Sequence, residues 1–544
     1  MAGAKRGSGF LMGMFRILVP EPLSEEGLAR LREAADVETT AMSTPLARDE
    51  LLAALPGHDA LIVRSATRVD AEALARADRL QVVGRAGVGL DNVDVDAATA
   101  RGVLVMNTPG ANAVATAEHT WALLLALCRR VPAADASLRA GAWDRKRFTG
   151  IQLAGKTLGV VGLGRVGREV ARRGRGFGMR VLGCDPHLTA DAAEDLQVEL
   201  VELDRLLAES DVVTLHAPLT EATRGMMGAE LLARVKRGAL LVNCARGELV
   251  DEAEVAAALR EGRLAGAAFD VFAEEPPAGS PLIGLPDVVL TPHVGASTVE
   301  AQRDVSLQIV DQVLDALRGV DYRNAVNLPF VAVGGLGEIR PWLDLAERLG
   351  RLAAELTAGE RIARVEVEVR GPEVAPHAQP LSVALLKGVL APALGDEVVN
   401  YVNAAHHAAE RGIAVARSRH PSAAEYANLV GCRIATDRSE RAAAGTLFHD
   451  RPRAVEIEGY HLDAPPVGDV LLVWNRDVPG VIGRVGTILG NAGVNIAEWR
   501  LGRSAPGETA LAFINLDNPA PPDILEALTQ IPGVQRVRQL RFPV

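Results

Sequence analysis

From Phe15 onward, short apolar runs alternate with amphipathic stretches. FRILV is followed by a break at Pro20 and the helical pattern SEEGLARLREAA, and DALIVRS, LQVVGRAG and VLVMN then read as strands separated by helical or turn-like segments. That alternation predicts an α/β unit with a parallel sheet. A long apolar helix, Ala113 to Arg130, leads through the polar patch GAWDRKRFTG to a second block that starts at Lys156. Its runs TLGVVG, RVLGCD, DVVTLHAP, ALLVNCA, GAAFDVF and VVLTPH are six predicted strands, as a doubly wound nucleotide-binding domain needs. Past Asn324 the text becomes Ala-rich, then alternates in RVEVEVR, and runs on without a catalytic motif to a proline-containing joint at Asp463 to Gly468. The last segment reads strand, helix, strand, strand, helix, strand, the ferredoxin-like βαββαβ order.

The chain has 544 residues, which is several domains' worth at about 150 residues each. With 48% hydrophobic and 23% charged residues it has a globular composition, and no apolar run approaches the ~20 residues of a spanning helix. The net charge of −11, with no basic block interleaved with aromatics, argues against nucleic acid as partner. Four dispersed cysteines without a C-x-x-C pair read as reduced thiols, and the basic N-terminus lacks a signal-peptide core. A cytoplasmic protein without membrane contact is expected. Residues 1–13 read as a disordered extension, with Met14 as an alternative start.

Gly162, Gly164 and Gly167 form G-x-G-x-x-G directly between a strand and a helix, and Asp185 closes the next strand 18 residues after Gly167. Glycines there let the backbone approach a pyrophosphate, the helix N-terminus offers free N–H groups, and the acid suits ribose hydroxyls. A carboxylate at Asp185 would repel a 2′-phosphate, which favours NAD over NADP. Gly87-x-Gly89 follows another strand but lacks the third glycine, so it is read as a backbone site for a substrate carboxylate.

Hydride transfer to a 2-oxo acid needs a proton donor and a cation to hold the acid. His293 in LTPHVGAST, Glu275 in DVFAEEPP and Arg246 in NCARGELVDE fit these roles as acid/base, its carboxylate partner and a bidentate anchor. All three fall at the C-terminal ends of predicted strands, where α/β sheets bind ligands. His216 is expected to line the cofactor cleft and His119, on the long apolar helix, to be structural. His406 and His407 are adjacent on a helical segment and so face different ways, which argues against a paired site. No metal is predicted.

The runs GVVGLGRVGREVA, NCARGELVDE, DVFAEEPP and LTPHVGAST resemble the NAD-dependent D-2-hydroxyacid dehydrogenase family. With VRSATRV, GRAGVGLDNVD and NTPGANAVATAEH before them and a regulatory tail behind, the chain from about Phe15 to its end is similar to the long-form branch acting on 3-phosphoglycerate. The resemblance implies a flavodoxin-like substrate-binding domain at 14–108 and 297–327 and an NAD-binding Rossmann domain at 109–296. An α+β intervening domain at 328–466, able to sense substrate or phosphate, and an ACT domain at 467–544 would follow.

By the same resemblance, cofactor contacts fall on the loop residues Arg165 and Val166, on Asp185, Ala217, Cys244, Ala245 and Gly295, and on Asp270 near the nicotinamide. Substrate contacts fall on Arg64, the backbone of Gly87 and Val88, and Asn112. Arg85 is the expected phosphate clamp. Arg145 would be lent to a neighbouring subunit, with Trp143 in the dimer contact, and a homotetramer is implied. The product would be 3-phosphohydroxypyruvate, the first step toward serine. Asp477 and Asn495, with Asn475, would bind L-serine as effector, although relatives sensitive to serine tend to carry a ring-bearing residue at the Asn475 position. Two other readings remain: a glyoxylate/hydroxypyruvate reductase type of enzyme, which would not need the appended domains, and a non-catalytic NAD-sensing scaffold.

Overall fold

The computed structural model describes residues 14–331, 335–421 and 425–543; the extension expected at 1–13 lies outside the described residues. Four sheets organise the chain. The first comprises β1 (Phe15–Val19), β2 (Val37–Ala41), β3 (Ala60–Val63), β4 (Val82–Arg85) and β5 (Leu104–Met106). Its order β2-β1-β3-β4-β5, all parallel, is the flavodoxin-like arrangement. β3 is buried at every residue, as a parallel strand covered on both faces must be. One covering helix comes from far along the chain: Val299–Leu317 brings Val305, Ile309, Val310 and Val313 against Ile17, Ile62 and Val82. Gly84 makes room for it, since a Cβ there would run into Val313 and Ile309.

The second sheet contains β6 (Thr157–Val161), β7 (Arg180–Cys184), β8 (Glu199–Leu200), β9 (Val212–Leu215), β10 (Ala239–Asn243), β11 (Leu264–Phe269) and β12 (Val288–Leu290), in the order β12-β11-β10-β9-β6-β7-β8. Six of these are the expected strands. The seventh, β8, is two residues long, too short for an apolar run to announce it. The helix Ala113–Arg129 packs Trp121, Leu124 and Leu127 on this sheet.

The third, mixed sheet is formed by β13 (Ile362–Arg370), β14 (Ala414–His420), β15 (Leu429–Thr436), β16 (Glu440–Phe448), β17 (Arg451–Ile457) and β18 (Tyr460–Ala464). Two helices cover it, Leu336–Leu356 and Ala378–Leu394. Their backbones come close because Gly350 faces the Leu385 carbonyl and Gly388 the Glu347 carbonyl; a Cβ at either would collide with backbone. The fourth sheet, antiparallel, consists of β19 (Asp469–Arg476), β20 (Ile496–Arg503), β21 (Thr509–Leu516) and β22 (Val534–Arg541), ordered β20-β21-β19-β22, and completes βαββαβ with helices Val481–Asn491 and Pro522–Thr529.

The two faces of β19 enter different cores. Leu471 and Val473 pack with the two helices of this sheet. Val470, Leu472 and Trp474 join Leu511, Phe513 and Leu540 in one continuous cluster with Leu349, Val367 and Ile457 of the preceding unit. The proline-containing segment at Asp463 to Gly468 is therefore a covalent joint but not a gap between cores.

Candidate active site

Pairing across the second sheet places Cys184, Val161, Leu215, Asn243, Phe269 and Leu290 in one row at the C-terminal ends of six neighbouring strands. The residues that follow them line one crevice about 24 Å long, five strand spacings from β7 to β12. They are Asp185, Gly162, His216 with Ala217, Cys244 to Arg246, Asp270, and Thr291 to His293.

The three glycines of the β6 turn have separate physical causes. Gly162 has φ +91° and lies against the backbone of His216 and Ala217. A Cβ at Gly167 would overlap the Gly162 carbonyl oxygen, whereas one at Gly164 would meet nothing within 4 Å. The exposed backbone at Gly164 and the tight packing at the other two are what a pyrophosphate cradle requires. Arg165 and Val166, at the loop's end, are the first two residues of the helix Arg165–Gly176, with Gly164 as its N-cap. Their first-turn position still leaves N–H groups without helical partners. The Asp185 carboxylate accepts from the N–H of Leu163 at 2.8 Å and of His187 at 2.9 Å, which fixes it beside the cradle. These residues fit a bound dinucleotide.

His216 bonds Thr214 Oγ1 through Nε2 at 2.9 Å, and burial pushes its pKa down to about 3, so it is neutral at physiological pH. The Cys244 thiol, buried and bonded to Thr120, is pushed up to about 12 by burial and is no thiolate.

His293 and Glu275 meet as the motifs require. Nδ1 of His293 lies 2.8 and 3.1 Å from the Glu275 oxygens, so Nδ1–H donates to the carboxylate and Nε2 faces outward; both side chains are partly exposed. Glu275 also accepts from the Phe272 N–H at 3.1 Å. His293 sits at φ +53°, a conformation that a residue with a side chain adopts only when neighbours impose it.

The neighbours are centred on Asp270, which is buried. Its main-chain oxygen accepts from the His293 N–H at 2.8 Å. Its side chain accepts from the N–H of Val294 (2.9 Å) and Gly295 (2.8 Å), from Thr291 Oγ1 (2.6 Å) and from His119 Nε2 (3.1 Å). Burial alone would raise its pKa, but the bonds from His119, Thr291 and the two amides hold it below the ordinary carboxylate value. Among the described residues Oδ2 accepts only from Gly295, which leaves it a spare lone pair. Sequence patterning does not mark His119 or Thr291 as site residues: His119 occupies a helix that is otherwise apolar and so reads as core.

Two cations, Arg85 and Arg64, come from the first sheet and a third, Arg246, from the second. Arg85 ends β4, and its guanidinium folds back over Gly87, where any Cβ would collide with it. Its Nε is buried without a hydrogen-bond partner among the described residues. Burial lowers its pKa first, repulsion by Arg246 and Arg64 adds to that, and Asp91 and Glu21 oppose it. Arg246 reaches from the second sheet across to Gly89 and lies 3.5 Å from Asp91. Asn243 shapes its turn, donating to the Arg246 carbonyl at 2.8 Å and accepting from the Ala245 N–H at 3.1 Å.

Arg64 is set by Glu21, which accepts from the N–H groups of Arg64, Ala66 and Thr67, and by Asn92, which donates to the Arg64 carbonyl. The Gly87 N–H closes on the Arg85 carbonyl at 2.9 Å. Among the described residues the N–H groups of Val88 and Gly89 carry no bond. Asn112 caps the helix Ala113–Arg129 without using its side chain, which stays available.

Two groups of expected residues lie elsewhere. Arg145 and Trp143 are on the exposed segment after the helix Val131–Arg139, Trp143 at 80% exposure. In the fourth sheet, Asn475 and Asp477 stand at the end of β19 beside Arg503, whereas Asn495 precedes β20 at the opposite end, roughly 25 Å away along the strands. Within one chain these three do not form one site. The Asp477 carboxylate is bonded by Arg503 and, at 3.1 Å, by the Gly507 N–H, which hold its pKa low; Asn475 donates to the Arg476 carbonyl and Asn495 to Asp517. His406 and His407, expected to face apart, both reach Glu410, at 3.4 and 3.2 Å.

Comparison with known proteins agrees with this architecture. Family models match at residues 121–295 (D-isomer specific 2-hydroxyacid dehydrogenase, NAD binding domain), 338–458 (D-3-phosphoglycerate dehydrogenase intervening domain) and 470–533 (ACT domain). The D-3-phosphoglycerate dehydrogenase of Archaeoglobus fulgidus is 42% identical over 523 residues, 95% of this chain and 98% of the relative. The chain belongs to the D-3-phosphoglycerate dehydrogenase family.

The Mycobacterium tuberculosis member is 44% identical over 515 residues, covering 94% of this chain and 96% of its own. Among solved structures, the TT0316 protein of Thermus thermophilus superposes with a TM-score of 0.54 at 41% identity, covering 57% of this chain and 100% of its own. As a D-3-phosphoglycerate dehydrogenase family member the chain is an NAD-dependent oxidoreductase with an α/β catalytic part and appended intervening and ACT domains. No helix among the described residues is long and apolar enough to cross a membrane.

Proposed function

We propose that this chain oxidises 3-phosphoglycerate to 3-phosphohydroxypyruvate, the entry to serine synthesis by phosphorylated intermediates. The observation that carries the substrate choice is Arg85: a half-buried guanidinium, unpartnered at Nε among the described residues and repelled by Arg246 and Arg64, is stabilised by a dianion placed among the three. Arg85 and Arg64 hold the phosphate in this reading, and Arg246 with the N–H groups of Val88 and Gly89 holds the carboxylate, with Asn112 beside them. NAD supplies the hydride acceptor when bound, over Gly162 to Gly167, with Asp185 on the ribose and Ala217, Cys244, Ala245 and Gly295 along the crevice. His293 Nε2 takes the proton of the substrate 2-hydroxyl, so the imidazole is neutral in oxidation and protonated in reduction. Glu275 fixes the Nδ1–H tautomer and stabilises the imidazolium as it forms.

A homotetramer in the cytoplasm completes the reading. Trp143 and Arg145 sit on the exposed segment that a second copy would cover, and the ACT domain would bind L-serine between copies, Asn475 and Asp477 from one and Asn495 from its partner. The deciding experiment follows NADH oxidation with phosphohydroxypyruvate, hydroxypyruvate and 2-oxoglutarate. The phosphorylated acid should be strongly preferred, and Arg85→Ala should erase about 10- to 100-fold of that preference, as loss of charge-assisted bonds predicts. An unchanged KM for phosphohydroxypyruvate in Arg85→Ala would overturn the phosphate assignment.

A further inference from the structure

We infer that His119 is a positioning residue for the reaction: through Asp270 it holds the left-handed turn that aims the His293 imidazole. This rests on His293 as the acid/base. Asp270 is an acceptor at both oxygens, so the ring nitrogen facing it, Nε2 of His119, must carry a hydrogen; that N–H is shared between Asp270 Oδ1 at 3.1 Å and Thr291 Oγ1 at 3.0 Å. Thr291 passes its own hydrogen to the same Oδ1 at 2.6 Å. The carboxylate fixed by these two donors accepts from the N–H groups of Val294 and Gly295, on the far side of His293, while the Asp270 main chain accepts from His293 itself. The turn is thus gripped before, at and after the residue with φ +53°.

Among the described residues no hydrogen bond of this cluster reaches the imidazole ring, whose own bonds go to Glu275. His119 therefore governs where the ring is, not which tautomer it has. It lies on the helix Ala113–Arg129, which starts directly after the chain crosses from the first sheet to the second, and Gly295 lies just before the helix Val299–Leu317 that crosses back. The cluster ties the two crossings together at the acid/base.

The test compares the full-length enzyme with His119→Phe, His119→Gln, Thr291→Val and His293→Ala. Single-turnover NADH formation, steady-state KM for 3-phosphoglycerate and calorimetric NAD affinity are measured for each. Phe keeps a ring without a donor, and Gln returns an N–H near the place of Nε2. His119→Phe should slow the single turnover about 10- to 100-fold, the cost of a displaced reacting group, with KM and NAD affinity within about twofold. His119→Gln should recover to within about threefold of wild type, and Thr291→Val should show a smaller loss in the same direction. A His119→Phe rate within about twofold of wild type, a loss that Gln does not recover, or a parallel loss of NAD affinity overturns the inference. If His119→Phe does not fold, an unchanged rate in Thr291→Val overturns it. An active His293→Ala would instead show that the acid/base reading had failed; an inactive one beside a normal His119→Phe would remove only the role of His119.

Discussion

In the seven-stranded sheet, residues following six neighbouring strands, Arg246 among them, gather along one edge of one chain, and two further cations, Arg64 and Arg85, arrive from the adjoining sheet of the same chain. In the four-stranded sheet, Asn475 and Asp477 stand at one end and Asn495 at the other, and the one carboxylate among them is already engaged by its own Arg503. Parallel strands all end on the same side, so chemistry placed after each strand converges; antiparallel strands alternate, so residues flanking them are scattered between two edges. In the proposed reading, catalysis is therefore complete within a chain apart from Arg145, whereas effector binding needs a second copy laid against the first.

The sharpest test of the first half of this contrast is His293→Ala, which should lower turnover about 10²- to 10⁴-fold in both directions while NAD binding is retained in titration. Substantial residual turnover would break the convergence at its centre. For the second half, Asp477→Ala and Asn495→Ala should each abolish serine binding in calorimetry on the full chain. Co-expression of the two variant chains should restore one site per mixed interface, because one wild-type Asp477 then faces one wild-type Asn495. No recovery would sink the shared site.

A smaller effect concerns Asp270. Its pKa is held below the ordinary value in the folded chain, so its stabilisation is complete above the unfolded carboxylate range and fades as pH falls through the lower folded value. Asp270→Asn should cost about 2–4 kcal/mol near neutrality. Melting curves taken from about pH 7 downward should show the gap to wild type narrowing in acid, and a gap of constant size would contradict the charged state of Asp270. Least of all, Arg503→Gln should leave the melting temperature nearly unchanged, since exposed pairs contribute little, yet tighten serine binding by freeing Asp477.

The catalytic half is legible in the sequence because its strands are continuous apolar runs whose ends carry the chemistry: Asp185, Arg246 and His293 each follow such a run closely. Where legibility fails, contacts distant in sequence are the cause. His119 reads as core on an apolar helix, and only the fold brings it to Asp270, 151 residues on. The separation of Asn495 from Asp477 depends on strand direction, which a motif does not carry. The prolines of Asp463 to Gly468 read as a border, but the run VLLVW, apolar on both faces, is the sign that β19 is covered twice.

That double covering changes how the regulatory tail can be handled. Cut at Gly468, it would present Val470, Leu472, Trp474 and Phe513 to water, an oily wall that lost its partner, so an excised fragment is a poor stand-in for the intact tail. Heating should melt the last two sheets together in a single calorimetric peak. In the proposed reading, a shift caused by serine at the fourth sheet would then travel as the tilt of one stiff lever whose far arm, through Asn400 bonded to the Gly102 carbonyl, rests on the unit of the first sheet.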